Sequence, residues 1–492
     1  CADNEIKCQR DLEDFSPLGI QIKAAPEIIE EIHNGTIEVS LAFENVSGAP
    51  AIKIFEAVNT SGDFDYLDQE ATADTQSDTA PYKNAMGEIK QGQSYIFPTT
   101  SLIKDINIVT PAVYMIFEGT GIGSGKLVLR LKKAGAVMGE SAVFLDLKDI
   151  KKMYEHYTVG DHNIEGLDLS VIQATAQEIN GFSYTGSSPE TGDYILLVHG
   201  WNMKPWERRY FAETAYKRLF WANYRGRFGC FSWPTEETAF APLDLGNYDR
   251  SEHKAWHSAS RLHTLLTTLN ATYPGKVRLM AHSMGNIVAS EALRIESTSS
   301  SPHQIVKAYA ACQAASVAHA YDAAVTNIED DSSTQTPEVY ATYPPTGHPY
   351  FHGISSVVAG SIINFGNADD YALNKWQMNQ DMKPYGDFDY QYVGTNRTQK
   401  QYTSDLLGAG LTVLGFPTNT YMIYSFISEA RSYALGADIN TRGEINHPVN
   451  LANSPYNYED DSEDHSAEFR STNMRRNSFW KTLLLEYGFT TP

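Results

Sequence analysis

The segment KVRLMAHSMGN, Lys276–Asn286, decides how this chain is read. A short run rich in Val and Leu, ending at Met280, breaks abruptly into histidine, serine and glycine. Such a run reads as a buried strand stopping at a sharp turn, and the following IVASEALRI carries helical spacing. A strand, a tight turn holding Ser283 and then a helix is the geometry that pushes a serine hydroxyl out above a sheet. Ala281 and Gly285 flank Ser283 at minus two and plus two, where a strained elbow leaves no room for larger side chains. The pentapeptide AHSMG departs from G-x-S-x-G by one methyl group.

The same grammar extends outward from this turn. DYILLVHG is a continuous apolar strand, followed by a helical run from Pro205 to about Ala222, and RFGCFSWP is strand-like again. SEHKAWHSASRLHTLLTTLNATYPG has helical periodicity, with Ser251 placed as its N-cap and Gly275 as its stop. QIVKAYAACQAAS supplies a further strand. Buried strands alternating with helices predict an α/β fold over 160–492, a mostly parallel sheet with helices on both faces. Long insertions at about 317–355 and 374–445, rich in Tyr, Phe, Met and Leu, are read as cap elements.

Upstream the pattern differs. After an extended lead-in over 1–16, short alternating runs recur over 17–150: TIEVSLAFEN, AIKIFEAVN, SYIFP, AVYMIFEGT, GKLVLRLKK and SAVFLDL. Turn residues separate them, and period-two alternation at this spacing predicts an all-β sandwich. It carries no catalytic constellation.

The stretch LVHGWN closes the strand before the elbow. A glycine there, Gly200, lets backbone approach a reacting carbonyl, so the N–H groups of Trp201 and Met284 are the candidate oxyanion donors. His199 and His282 flank the site and are assigned to loop geometry, with Gly200, Ala281 and Gly285 as close-packing support.

VHGWN, FSWP, NYDRSE and MAHSMGN, in this order over about 195–295, resemble a largely uncharacterised family of α/β-hydrolases. Its blocks are V-H-G-Y-N, F-S-W-P-S, Y-x-x-D and H-S-M-G-N. Trp201 stands where that family usually has tyrosine. The resemblance implies an α/β-hydrolase fold and a serine nucleophile, and no particular substrate.

In this fold the triad runs nucleophile, acid, histidine. SIINFGNADDYAL is a strand ending in Asp369-Asp370, and the family's acid block aligns Asp370 with the acid, leaving Asp369 as the alternative. Past it stand only His447, before a proline and read as a turn residue, and His465 in EDHSAEFRS. H-S-x-x-F resembles the family's closing block, and an amphipathic helix, NSFWKTLLLEYG, follows His465, which is therefore the expected base.

The apolar residues of the insertions suggest a hydrophobic acyl chain, so the expected chemistry is cleavage of carboxylic esters, as in a lipase or carboxylesterase. An amidase or peptidase with the same triad is one alternative. A surface-binding protein, with the β-sandwich as its functional part, is another. The chain has 492 residues and a net charge of −22, which excludes nucleic acid as a partner because nothing would neutralise phosphates. No stretch reaches the ~18 apolar residues of a membrane span. No metal motif occurs, and no cofactor is expected. A chain opening on Cys1 fits a lipoprotein tethered to a membrane, or an exported chain with a Cys1–Cys8 disulfide; both readings are extracytoplasmic. Cys230 and Cys312 lie in apolar runs as buried thiols.

Overall fold

The computed structural model describes residues 14–78, 84–159, 177–178, 192–235, 245–316, 318–321, 351–368, 370, 372–373, 393–394, 397–398, 400–402, 423–425, 434–437, 441, 443–453, 465–469 and 476–490. Cys1, Cys8, Asp369 and the acidic run 459–464 lie outside these residues, as does most of both insertions. The chain divides into two compact units, with the boundary between Met153 and Tyr154.

The first unit is built on one six-stranded antiparallel sheet. It contains β1 (Phe15–Gln21), β2 (Ile37–Glu56), β3 (Gly87–Lys90), β4 (Ser94–Ile96), β5 (Ala112–Lys133) and β6 (Ala136–Leu147), in the order β1-β5-β2-β3, with β4 on β2 and β6 on β5. The expected antiparallel β character is present, and the six strands are joined in one hydrogen-bonded sheet. Runs read as separate short strands are halves of two long ones. TIEVSLAFEN and AIKIFEAVN both belong to β2, while AVYMIFEGT and GKLVLRLKK both belong to β5. Bulges interrupt the pairing of β2 with β5 between Glu44 and Ser47 and again between Gly48 and Ala51. The partner backbones crowd there: a Cβ on Gly121 would lie 2.4 Å from Ala49 O, so only glycine fits.

Three helices in this unit were not anticipated: α1 (Pro26–His33), α2 (Asp65–Asp68) and α3 (Glu70–Asp78). The first starts on Pro26, whose missing N–H is harmless in a first turn, and sinks Ile29 and Ile32 into the core.

The second unit carries an eight-stranded sheet ordered β14-β13-β12-β11-β9-β10-β7-β8. Its strands are β7 (Glu155–Thr158), β8 (Gln177–Glu178), β9 (Tyr194–Val198), β10 (Arg227–Ser232), β11 (Val277–His282), β12 (Ala308–Cys312), β13 (Ile362–Gly366) and β14 (His447–Asn450). Every neighbouring pair is parallel except β7 with β8. Helices α4 (Pro205–Trp221), α5 (Leu245–Thr272), α6 (Gly285–Ser297) and α7 (Arg476–Glu486) cover both faces.

The strands alternate their side chains between those faces. Tyr194, Leu196 and Val198 pack with Trp256 and Leu262 of α5 and Val288 of α6. Ile195 and Leu197 pack with Ala215 and Leu219 of α4 and Trp480 and Leu483 of α7. With both faces covered, a strand gains from apolar residues at every position, which is why YILLV shows no alternation. Each such side chain contributes about 1.5–3 kcal/mol on leaving water.

Two local expectations are corrected. Ser251 is no N-cap: α5 begins at Leu245, because the polar NYDR carries no helix breaker, and Ser251 lies buried inside it. His447 is no turn residue: it opens the edge strand β14, where its ring reaches Glu486 at 3.3 Å. Among the described residues no helix is long and apolar enough to cross a membrane.

Candidate active site

The carboxyl ends of β9, β11 and β13 lead into the loops that carry His199, Ser283 and Asp370. Ligands of an open parallel sheet bind outside that end of the strands.

Ser283 sits between β11 and α6 with φ of +52°, a left-handed conformation that residues with a Cβ rarely take. Its own peptide groups hold it there. The Ser283 N–H donates to Cys312 O at 3.0 Å, and Ser283 O accepts from the N–H groups of Asn286 and Ala315, both at 3.1 Å. Asn286 Nδ2 adds a bond to the same oxygen at 2.9 Å. Such strain amounts to about 1–3 kcal/mol and persists only where the surroundings over-determine it.

Neighbouring glycines make the room. A Cβ on Gly285 would lie 2.4 Å from His199 O, and one on Gly200 would lie 2.9 Å from the Ser283 Cβ. Ala281 is fully buried in β11, paired with Val198 on one side and Ala311 on the other.

Met284, at the start of α6, is buried, and its N–H belongs to the first helical turn, where donors have no partner within the helix. Trp201 lies in the loop after β9, which His199 pins down. The His199 ring stacks on Trp233 with planes 7° apart. Gly200 O lies 2.8 Å from His199 Nδ1, and Trp233 N lies 3.2 Å from Nε2. A carbonyl can only accept and an amide N–H can only donate, so the proton is on Nδ1. Trp233 Nε1 closes the loop by donating to His199 O at 2.7 Å. The next turn holds Asn202 at φ +56°, a conformation asparagine tolerates.

Burial, with the Arg208 charge next in size, holds His199 well below the ordinary imidazole range. His156, in β7 against the Ser232 hydroxyl, is pushed down to about 4 by burial and by Arg209 and Arg208. Both are neutral when folded, whereas the unfolded chain takes up protons on them below about pH 6.5. Stability therefore rises with pH through that window and is lost on acidification. His156 alone is expected to remove about 2–3 kcal/mol between pH 6.5 and 4.5. Urea titrations at the two pH values check this; equal midpoints would contradict neutral burial of these rings.

Asp370 is fully buried at the start of a short helical turn. Its Oδ1 accepts from the N–H groups of Ala372 at 2.9 Å and Leu373 at 3.0 Å. Its Oδ2 accepts from Gln313 Nε2 at 2.6 Å and from His465 Nδ1 at 2.7 Å. All four partners donate, so the carboxyl acts purely as an acceptor. His465 then carries its proton on Nδ1, and Nε2 is the basic nitrogen.

His465 is also tied to the elbow. His282, next to Ser283, donates from Nε2 to His465 O at 2.8 Å, and the two rings lie 4.9 Å apart. Glu468 Oε1 is 3.7 Å from the same His282 nitrogen. Among the described residues no hydrogen bond joins Ser283 Oγ to the His465 ring in this conformation; His282 is what brings the two segments together. Phe211 and Phe469 stack at 4.4 Å beside His282.

Reading the sequence missed Gln313, Asn286 and Glu468. A polar residue inside AYAACQAAS was the available signal for the first. Cys230 and Cys312 are buried free thiols, and burial raises the first to about 12. Among the described residues no group of three or more His, Cys, Asp or Glu side chains could hold a metal ion.

Comparison with curated proteins finds no match. The model of a family described as an alpha/beta hydrolase of unknown function (DUF900) matches residues 180–312. That segment contains Ser283, Gly200 and both candidate oxyanion donors; Asp370 and His465 lie beyond it. Over this segment, about a quarter of the chain, the protein is similar to alpha/beta hydrolases.

Proposed function

We propose that this protein is a serine hydrolase that cleaves carboxylic esters through an acyl-enzyme intermediate. The observation that carries the reading is a convergence of separate segments. A serine on a strained strand-to-helix turn is joined, through its neighbour His282, to a histidine whose Nδ1 is bound to a buried aspartate.

In this reading Ser283 Oγ attacks the acyl carbon while His465 Nε2 takes the hydroxyl proton. Asp370 holds the Nδ1–H tautomer and stabilises the imidazolium that forms. The Met284 and Trp201 N–H groups receive the negative oxygen of the tetrahedral intermediate, and losing one such donor typically costs ~3 kcal/mol of transition-state stabilisation. His465 then returns its proton to the departing alkoxide, and water, activated by the same ring, releases the acid.

A fluorophosphonate probe tests the reaction class: it is expected to label Ser283, with labelling lost in Ser283→Ala. A chain-length series of p-nitrophenyl esters with matched anilides tests the substrate, and turnover of the esters alone is expected. Folded protein that resists the probe would sink the enzyme reading and leave a binding role. Faster anilide cleavage would make it an amidase.

A further inference from the structure

We infer that Gln313 is a positioning residue for the acid Asp370, and that the loop Gln313–Ser316 fixes the separation of nucleophile and acid. This rests on the serine-hydrolase reading.

Gln313 follows β12 directly, is completely buried and has φ of +40°. Glutamine has little intrinsic reason to adopt a left-handed backbone, and strain of that kind gathers where geometry is functional. Here it serves two directions at once. The Gln313 N–H donates to Phe365 O at 2.8 Å, on the strand that feeds the acid loop. The side chain donates from Nε2 to Asp370 Oδ2 at 2.6 Å. A carboxylate cannot donate, so the amide nitrogen must face it.

The same loop, with Cys312 at the end of β12 before it, grips the elbow. Cys312 O accepts the Ser283 N–H at 3.0 Å, and the Ala315 N–H donates to Ser283 O at 3.1 Å. One short segment thus holds the peptide groups of the nucleophile with its backbone and the carboxylate of the acid with a side chain.

A third strand of chain locks the loop in place. The Gly436 N–H donates to Ala314 O at 2.9 Å, while Gly436 O accepts the Asn367 N–H at 2.7 Å. The Leu435 N–H donates to Ser316 O at 2.7 Å. A Cβ on Gly436 would lie 2.2 Å from Ala314 N and 2.3 Å from the Gln313 carbonyl carbon, so no other residue fits against this loop.

Gln313 and His465 share one oxygen of Asp370, and this gives the role a signature beyond packing. Donation from Gln313 draws negative charge away from the oxygen that stabilises the His465 cation. Without it the imidazolium is held more tightly and gives up its proton at higher pH. The other described charged or titratable groups facing His465 are His282 and, behind it, Glu468; neither changes when Gln313 is replaced.

The test uses the full chain with Gln313→Leu, Gln313→Glu and Gln313→Gly, measuring kcat/KM for a p-nitrophenyl ester against pH. Gln313→Leu is expected to lower kcat about 10- to 100-fold with KM little changed, the effect of losing a hydrogen bond to a charged group. Its acid limb should move to higher pH. Gln313→Glu, close in shape, sets a second carboxyl against Asp370 Oδ2, where the two must share one proton and the protonated Glu still donates, so its limb should stay nearer wild type than that of Gln313→Leu. Gln313→Gly relieves the backbone but keeps the kinetic loss, which separates strain from donation. Variants that melt earlier yet keep the wild-type pH profile would reduce Gln313 to a packing residue and overturn the inference. Wild-type protein that fails to label at Ser283 would overturn the hydrolase reading first, and this inference with it.

Discussion

Ser283→Ala is expected to give a folded protein whose ester hydrolysis is slower by about 10^6-fold, the scale on which loss of a catalytic serine acts in enzymes of this kind. The size follows from the division of labour in the turn. The bonds that hold Ser283 in its left-handed conformation come from its N–H and its carbonyl, and all of them survive the substitution. Alanine keeps the Cβ, so the strain is unchanged, and stability should move by less than about 1 kcal/mol. Ser283→Gly forms an informative companion. It loses the same activity but removes the strain, and should gain several tenths of a kcal/mol to about 1 kcal/mol. Thermal melts beside single-turnover hydrolysis make the comparison. Residual turnover within ten-fold of wild type would place the nucleophile elsewhere.

How much of this was legible beforehand depends on how local the physics is. The elbow was readable because a buried strand, a turn with small flanking residues and a helix start all lie within about a dozen residues, and each leaves its own mark. YILLV and VRLMAH declared themselves as central strands by lacking alternation. His465 and Asp370 are 95 residues apart, and only chain order and a family resemblance suggested pairing them. Gln313 was invisible for a different reason. Its meaning lies in one unusual φ and in the arrival of β13 beside β12, neither of which a glutamine in an apolar run announces. In the first unit alternation marked strand residues correctly. Whether two alternating runs form two strands or one bent strand depends on pairing across bulges, and that is decided by the partner strand.

Asp370→Asn should cost about 10^4-fold in kcat with little change in KM, and the hydrogen bonds around the carboxylate explain why. An asparagine must turn its NH2 toward one of two pairs of donors. Facing Ala372 and Leu373 it meets backbone N–H groups that cannot rotate away, leaving buried donors unsatisfied at about 1–3 kcal/mol each. Facing Gln313 and His465 it meets side chains that can adapt. The Gln313 amide flips to present its oxygen, and the imidazole shifts its proton to Nε2 so that Nδ1 can accept. The second arrangement wins because its partners are mobile, and it keeps the fold at the expense of the base. With a proton on Nε2, His465 cannot take one from Ser283. The protein should therefore unfold only slightly earlier than wild type, while fluorophosphonate labelling of Ser283 slows in parallel with turnover. Asp369→Asn provides the comparison and should leave turnover within about two-fold, since Asp370 is the carboxylate bonded to His465 Nδ1. If the Asp370 variant retained a tenth of the wild-type rate, another carboxylate would have to orient His465. The bond from His465 Nδ1 to Asp370 would then be structural.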